Sequence, residues 1–390
     1  MLERQVWRNF VAVTFSVAVV GIGLGATLPL TALTLVRLGY GPEVVGWMAA
    51  AGALGGVIGT FLAPGLTQRL GRRGVMLGCM VLALASVMPL QFTSNLVCWA
   101  VLRFMFGFAM APLFVLGESW INALPPDASR GRVVAIYSTS FSLCQMLGPG
   151  LTTWLDAMPD RNFLIAGLLF LIGIPGIVAA DAGTHDADET PAGAQDQHAS
   201  WLAILRFAPV IVAGTAFFAL FDAVTLSFLP LFALHHGFDR QTALLSASVV
   251  MAGDATLQFA AGWLADHYGR ARVHKLCGVL LCLLLAGLPW VIHAGFVWWP
   301  WLFVLGGVAG AIYTLAIVAS GDYFTGAALL RSAGLIALTW NISSSAGPAL
   351  TGVAMQRWGD QAMVGVLLLV ALGFVAVSLA GRSPRQAFHA

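Results

Sequence analysis

The sequence predicts an all-α polytopic membrane protein with twelve transmembrane helices arranged as two six-helix bundles. Three observations predict this fold class: 59% of the 390 residues are hydrophobic, only 9% are charged, and the apolar runs are long. Soluble domains carry about 25% charged residues, whereas a membrane-spanning helix needs about 20 mostly apolar residues. Twelve such helices use about 240 positions, so no room remains for a large soluble domain.

The hydrophobic runs are separated by charged or Gly/Pro-rich breaks and predict the helices in order. The first run is about twice as long as the apolar region of a signal peptide and has no convincing cleavage site, so we expect a retained spanning helix. The twelve predicted helices cover residues 8–36, 43–67, 74–93, 96–121, 132–154, 162–180, 203–233, 241–265, 273–292, 297–319, 329–354 and 361–381.

The positive charges predict the orientation of these helices. With the N-terminus in the cytoplasm, fourteen of the 19 Lys and Arg residues fall at cytoplasmic helix ends or in cytoplasmic segments. Four fall on the opposite side, and Arg103 lies inside a helix. Because cytoplasmic loops of membrane proteins are enriched in Lys and Arg, both termini are expected in the cytoplasm.

A polar stretch divides the chain between the sixth and seventh predicted helices. Residues 181–200 contain five acids, no Lys or Arg, and few large apolar side chains. Such a composition cannot bury a core, so we expect a flexible cytoplasmic linker. The predicted division is an N-terminal bundle at 1–180, a linker at 181–202 and a C-terminal bundle at 203–390.

The two halves of the chain repeat at an offset near 199 residues. Five short motifs recur in the same order, which predicts two bundles of one topology related by a pseudo-two-fold axis along the membrane normal. The matched pairs are Leu28-Pro29-Leu30 with Leu229-Pro230-Leu231, Gly39-Tyr40 with Gly237-Phe238, Gly71-Arg72 with Gly269-Arg270, Arg132 with Arg331, and Gly148-Pro149 with Gly347-Pro348.

The loop after the eighth predicted helix carries a specific pattern. Its sequence from Gly262 to Arg272 resembles the G-x-x-x-D-[RK]-x-G-R-[RK] loop of the major facilitator superfamily (MFS) of secondary transporters. The loop after the second helix keeps the glycine and the arginines but has Gln68 where the family usually has an aspartate. With the repeat and the linker, the resemblance covers essentially the whole chain and implies transport by alternating access.

The same two loops predict a cytoplasmic gate, in which clustered charges pair across the halves in one state and separate in another. The alternative is that the arginines only set the orientation of the helices. Glu118 is expected as an ion partner of these arginines, with substrate contact or a plain helix-end charge as alternatives. The predicted gate comprises Arg69, Gly71, Arg72, Arg73, Glu118, Arg130, Asp266, Gly269, Arg270, Arg272 and Asp322.

Two motifs within helices also resemble family patterns. Arg103 begins an R-x-x-x-G motif on the fourth helix, where the resemblance implies an arginine that tunes proton transfer or binds an anionic group. A structural buried arginine is the alternative. Residues 147–150 partly resemble the family's antiporter motif, and the theme recurs on the eleventh helix. Small residues permit close helix approach and proline permits a kink, so the predicted hinges are Gly148, Pro149, Gly347 and Pro348.

Acids inside spanning helices are costly and indicate function. Asp254 lies about 21 Å into the eighth helix, and Gln258 is one turn further along the same face. Asp222 lies at a depth similar to that of Arg103, so a pair between them across a cavity is one prediction. We predict Asp254, Asp222 and Arg103 as proton-coupling or substrate-binding residues, with satisfied structural acids as the alternative.

Other polar and aromatic side chains at helical spacing extend the predicted substrate cavity. The amides of Gln145 and Asn341 are hard to satisfy by backbone alone, and Trp340 offers a ring for stacking at mid-depth. Hydroxyl side chains commonly join membrane helices without any further role. The predicted cavity comprises Arg103, Ser142, Gln145, Asp222, Asp254, Gln258, Tyr313, Trp340 and Asn341.

Together these features predict a proton-coupled secondary transporter of a small organic solute in the bacterial inner membrane. Export by antiport is favoured by the partial Gly-Pro motifs, uptake by symport is the alternative, and a receptor or membrane enzyme is a remote third. No HExxH, GxSxG context or nucleotide-binding loop occurs, and the five cysteines form no CxxC pair, so no cofactor or metal is expected. With a net charge of +2, we expect a monomer whose partners are lipid, substrate and protons rather than nucleic acid.

Overall fold

Eleven α-helices, one of them broken by a glycine, account for nearly all of the described chain. The computed structural model describes residues 2–123, 127–180, 209–324 and 326–380, and these ranges contain no strand. The first bundle comprises α1 (Leu2–Arg37), α2 (Pro42–Val87), α3 (Leu96–Ala123), α4 (Asp127–Asp156) and α5 (Asn162–Ala179). The second comprises α6 (Pro209–His235), α7 (Arg240–Tyr268), α8 (Arg270–Val291), α9 (Trp298–Tyr323), α10 (Gly326–Trp358) and α11 (Gln361–Ala380). Short 3₁₀ turns lie at Met88–Phe92 and Gly295–Val297.

Helix α2 joins the second and third predicted helices into one element with a break at Gly71. Its 46 residues extend about 69 Å, enough for two crossings of a hydrocarbon layer about 30 Å thick. Gly71 interrupts the helix with φ 71° and ψ 155°, a conformation that is readily open only to glycine. We call residues 42–70 the first arm of α2 and residues 72–87 the second arm. Counting each arm as one span, the eleven helices provide the twelve predicted spans.

The backbone conformation repeats between the two bundles. Gly39 and Gly237 follow α1 and α6 with φ of 87° and 90°, and Gly71 and Gly269 have φ of 71° and 93°. In both pairs the two glycines are 198 residues apart. The turns that set the helix directions therefore occur at equivalent positions in the two bundles. The predicted six-plus-six architecture is therefore confirmed by backbone geometry as well as by sequence.

Within each bundle one helix crossing is formed by glycines at equivalent places. A Cβ added to Gly107 of α3 would overlap the backbone of Gly52 on α2. In the second bundle, a Cβ at Gly253 of α7 or at Gly306 of α9 would overlap the backbone of the other helix. Small residues let the helix backbones touch, which gains dispersion energy where lipid supplies no hydrophobic driving force.

Nine of the described helices are long and apolar enough to cross a membrane by length and composition. The two long helices outside this set are α4 and α10, which carry the polar residues and the Gly-Pro motifs. Both pack across the boundary between the bundles, α4 against α7 and α10 against α2. The two less apolar helices therefore lie at the contact between the bundles.

Some helix ends differ from the prediction by several residues. Helix α1 begins at Leu2 instead of residue 8, α4 at Asp127 instead of 132, and α10 at Gly326 instead of 329. Hydropathy marks only the part of a helix inside the hydrocarbon layer, whereas these helices continue through polar ends. The predicted linker at 181–202 and the predicted start of the seventh helix at 203 lie outside the described residues.

Candidate functional site

The two faces of the molecule are defined by where the helices connect. The distal face carries the connections 38–41, 157–161, 236–239 and 359–360, and the proximal face carries Gly71, Gly269 and the described helix ends at Leu2 and Ala380. Between the faces, the bundles meet along α1 with α6, α4 with α7, and the first arm of α2 with α10. Any site shared by the two bundles must lie along these contacts.

At the distal face the bundles are joined by an ion triad centred on Asp156. This residue ends α4, and only 6% of its side chain is exposed. Its Oδ1 pairs with Arg37 of α1, and its Oδ2 accepts a hydrogen bond of 2.9 Å from Nη1 of Arg240 on α7. Because Arg240 belongs to the other bundle, Asp156 links the two halves.

Close backbone approach reinforces the same face. A Cβ at Gly46 of α2 would overlap the carbonyl of Pro348 on α10, and a Cβ at Gly352 would overlap that of Pro42. Slightly deeper, the Ser345 hydroxyl donates a hydrogen bond of 3.2 Å to the carbonyl of Ala50. These contacts hold α2 and α10 together across the boundary.

The two predicted hinge glycines each pack against a helix of their own bundle. Gly148 of α4 lies against the backbone of Gly25 on α1, and Gly347 of α10 lies against the side chain of Leu220 on α6. Both Pro149 and Pro348 lie within their helices. The two motifs thus occupy equivalent crossings, and their part in a hinge motion remains a proposal.

Two acids of the second bundle lie on neighbouring helices. Asp254 of α7 is 8% exposed and accepts a hydrogen bond of 2.7 Å from the Gln258 amide. The hydroxyl of Thr314 on α9 in turn donates to the Gln258 carbonyl oxygen over 3.2 Å. Asp222 on α6 is near enough to Asp254 for their charges to interact. None of the described residues donates a hydrogen bond to Asp222, so its carboxylate has open acceptor positions.

Three aromatic rings meet beside these acids. The ring centroids of Phe218 and Tyr313 are 5.1 Å apart, those of Tyr313 and Trp340 are 5.1 Å apart, and those of Phe218 and Trp340 are 5.8 Å apart. The rings come from α6, α9 and α10. Tyr313 and Trp340 were predicted from the sequence, but Phe218 was not, because phenylalanine on an apolar helix gives no signal of its own.

Arg103 lies apart from the acids, inside the first bundle. It is 2% exposed, its guanidinium carbon lies 5.1 Å from the ring centroid of Phe106, and it borders Gly52. Its Nε and Nη1 atoms have no hydrogen-bond partner among the described residues. The structure therefore does not bring Arg103 and Asp222 into the predicted ion pair, because equal depth on two helices does not imply facing directions.

The remaining predicted cavity residues lie near the boundary. Gln145 of α4 is 9% exposed, and Ser142 is half-buried. The Asn341 amide donates to the carbonyl of Ala337 over 2.9 Å, and its oxygen lies beside Gly56 of the first bundle. The structure thus gathers Asp222, Asp254, Gln258, Tyr313 and Trp340 in the second bundle, with Asn341 facing the first.

The predicted gate lies at the proximal face. Arg69, Asp266 and Arg272 are exposed. Arg72 is buried with its guanidinium carbon 5.7 Å from the ring centroid of Trp120, and Arg73 donates to the carbonyl of Val178. Arg270 and Asp266 form an ion pair of 3.3 Å within the second bundle. The side chains of Glu118, Arg130 and Asp322 lie outside the described part of the structure.

The sequence matches the family model described as Major Facilitator Superfamily over residues 13–253 and 211–388. One relative is the uncharacterized MFS-type transporter YfkF of Bacillus subtilis, 21% identical over 383 residues that cover 97% of this chain and 96% of the relative. Another is the uncharacterized MFS-type transporter Ent638_1421 of an Enterobacter species, 24% identical, with 89% of each chain covered.

Solved structures share the same fold. The D-xylose-proton symporter superposes with a TM-score of 0.77 at 15% identity and covers 97% of this chain and 98% of its own. The nucleoside transporter NupG superposes with a TM-score of 0.73 at 15% identity and covers 96% of this chain and 98% of its own. At such low identity these likenesses establish the architecture alone.

Proposed function

Because the chain belongs to the major facilitator superfamily, and is therefore a multi-pass membrane transporter rather than an enzyme, we propose that it exports a small organic solute in exchange for protons. The membrane is the inner membrane of a bacterium, with the proximal face and both termini in the cytoplasm. Bacterial relatives support the compartment, and the excess of Lys and Arg at the proximal face supports the orientation.

The observation that carries proton coupling is the pair of acids in the second bundle. Asp254 is buried with Gln258 as its hydrogen-bond donor, and Asp222 interacts with it electrostatically. Two carboxylates that interact in a poorly solvated interior repel each other when both are ionised. A proton or a positively charged substrate relieves this repulsion, so the two ligands compete for one site.

Transport follows if the competition is coupled to the opening of the two faces. The Asp156 triad and the α2–α10 contacts support a state in which the distal face is closed. Gly148, Pro149, Gly347 and Pro348 are the hinges about which the bundles rock, and Arg69, Arg72 and Arg73 act with Asp266, Arg270 and Arg272 as the proximal gate. Glu118, Arg130 and Asp322 complete that gate in this proposal.

Proton symport for uptake is the second candidate. It is supported by the structural likeness to a protein titled D-xylose-proton symporter, whereas export is supported by the partial Gly-Pro motif on α4. Solute movement measured under proton gradients of each sign separates the two candidates. An antiporter moves the solute in the direction opposite to the proton flow, whereas a symporter moves it in the same direction.

The proposal is tested on proteoliposomes with Asp254→Asn and Asp222→Asn. The transported probe is the compound that most raises the Tm of the purified protein in a screen of metabolites and drugs. We expect each variant to lose transport driven by a pH gradient, because an amide cannot carry the proton, while counterflow without a gradient continues.

The matched control is Asp160→Asn, which removes an acid from an exposed loop at the distal face. It should transport like the original protein. Proton coupling at this pair is wrong if Asp254→Asn and Asp222→Asn both retain full transport driven by a pH gradient.

A further inference from the structure

The second bundle presents an aromatic corner to its interior. Phe218 and Tyr313 are nearly parallel, at 14°, and Trp340 meets them at 55° and 60°. Phe218 is buried, whereas Tyr313 and Trp340 keep part of their surface open. Trp340 lies about 160° around α10 from Ile342, whose side chain is 54% exposed on the outer surface. The open surface of Trp340 therefore faces the protein interior and not lipid.

Both acids lie within about one helical turn of this corner. Asp222 follows Phe218 by four residues on α6, a rise of about 6 Å along one face. Asp254 packs against α9 at Gly310, where any Cβ would overlap its carboxylate, and Gly310 is one turn before Tyr313. In the most apolar stretch of α6, 89% of the residues are buried, so we infer that the partly exposed Asp222 faces internal space.

The charge at this corner is negative, and no lysine or arginine among the described residues pairs with it. The cavity-forming segments of α6, α7, α9 and α10 around the rings carry no Lys or Arg, and Arg103 is buried against Phe106 in the other bundle. An anionic ligand would meet two carboxylates here with no positive group to offset them. Electrostatics thus favours a positively charged ligand.

Neutral polar ligands are matched less well. The amide of Gln258 is already bonded to Asp254 and Thr314, and the amide of Asn341 is bonded to Ala337. A neutral polyhydroxylated ligand needs several free donors and acceptors, whereas the unpartnered groups nearest the rings on α6 are the Asp222 carboxylate and the hydroxyl of Thr215. Aromatic faces, by contrast, attract cations through their quadrupoles.

From these observations, and resting on the proposed transport function, we propose that the solute is an organic cation with an aromatic ring. Its ring stacks in the corner formed by Phe218, Tyr313 and Trp340, and its positive nitrogen lies between the rings and the carboxylates of Asp222 and Asp254. The assignment concerns the class of substrate and does not depend on the direction of transport.

The test uses three probes that share a benzyl group and differ in the charge of the head. They are benzyltrimethylammonium, its neutral carbon isostere neopentylbenzene, and phenylmethanesulfonate. Binding to the purified full-length protein is measured by calorimetry in detergent, without a membrane potential or a pH gradient. We expect the cation to bind about tenfold more tightly than the neutral isostere, and the anion to bind more weakly than either.

Variants connect this preference to the corner. Trp340→Leu keeps an apolar side chain but removes the ring, and Asp222→Asn removes one charge. Each should lower the ratio of cation to neutral affinity from about tenfold towards one, whereas Trp340→Phe should retain most of it. A variant that folds poorly would instead lower the number of binding sites per protein for both probes, which calorimetry measures separately from affinity.

Matched controls are Trp290→Leu, an indole 74% exposed at the end of α8, and Asp160→Asn in a distal loop. Both should keep the original ratio. The assignment is overturned if benzyltrimethylammonium fails to bind, if it binds no better than neopentylbenzene, or if Trp340→Leu and Asp222→Asn leave its preference intact. Because no gradient is applied, loss of proton coupling would not produce any of these results.

Discussion

Arg103 is a buried charge whose guanidinium needs hydrogen-bond acceptors from its surroundings. Its guanidinium is almost fully enclosed, lies against the Phe106 ring, and leaves Nε and Nη1 without partners among the described residues. A cation in such a place destabilises the resting state unless water, a ligand or a second conformation supplies acceptors. We therefore propose that Arg103 serves a step of the transport cycle and does not stabilise the fold.

We expect Arg103→Met to leave the Tm of the purified protein unchanged or higher, because a flexible apolar side chain fills the space without a charge. Transport should fall about tenfold or more. This corresponds to losing a charge-assisted hydrogen bond of about 1.5–3 kcal/mol that the guanidinium forms with an acceptor during the cycle. Thermal unfolding and proteoliposome transport measure the two quantities. A large drop in Tm together with normal transport would show that Arg103 is only a structural residue.

At this scale the sequence indicates depth but not direction. The spacing of Asp254 and Gln258 predicted that they share a helix face, and their side chains are hydrogen-bonded. Spacing along one helix says nothing about which neighbour a side chain meets, so the predicted Arg103–Asp222 pair did not form. Asp156 was not singled out because an acid at a helix end is ordinary until its two arginines are seen around it.

Among the helices, glycine decides where the chain bends and where two helices touch. Gly71 and Gly269 bend it, since their positive φ is costly for any residue with a Cβ. Gly52, Gly107 and Gly253 instead remain helical and let backbones meet. One residue type thus serves two distinct roles, and the surrounding atoms distinguish them.

Two alanine substitutions at helical glycines should change the free energy of unfolding in opposite directions, depending on whether a neighbouring helix fills the space beside the glycine. Gly107→Ala should destabilise the protein by about 1–3 kcal/mol, because its new Cβ has no space beside Gly52. Gly373→Ala on α11 should stabilise it by about 0.5–1 kcal/mol, because this helical glycine has nothing within 4 Å of a new Cβ. Denaturation in detergent measures both, and equal effects would contradict the crossing geometry.

The number and type of helices could be predicted, because twenty apolar residues have few alternatives to spanning a bilayer. The continuity of α2 through Gly71 could not be predicted, since a hydropathy break looks the same for a loop and for a single glycine with positive φ. Predicted ends at residues 8, 132 and 329 were displaced from those observed, because the polar turns of a helix carry no hydropathy signal.

In the whole molecule, ion pairs and close backbone contacts join the two bundles at the distal face. Asp156 holds one arginine from each bundle, while Gly46 and Gly352 bring α2 and α10 into backbone contact. A transporter that alternates between two states must break such contacts in each cycle. We therefore propose that the ion triad stabilises a state in which the distal face is closed.

We expect Asp156→Asn to weaken that state by about 1–2 kcal/mol, between the values for exposed and buried pairs, because both arginines are partly exposed. The shift corresponds to about tenfold in population. Spin labels at Asp160→Cys and Gln241→Cys in a cysteine-free background report the distance between the bundles, which should lengthen.

The control is Glu43→Gln, which removes an acid at the same face whose contact, with Trp47, lies within α2. Its distance distribution should match that of the labelled protein with Asp156 intact. An unchanged distribution in Asp156→Asn would mean that the glycine contacts alone hold the face closed.

A helix as enclosed as α6 constrains how the molecule is made. It packs against α1 and α2 of the first bundle and against α7, α9, α10 and α11 of its own. When α6 enters the bilayer during synthesis, every one of its second-bundle neighbours is still to be translated. The first bundle is then the only protein surface it can join, so it acts as the template on which the second bundle assembles, and the order of translation becomes part of the folding route.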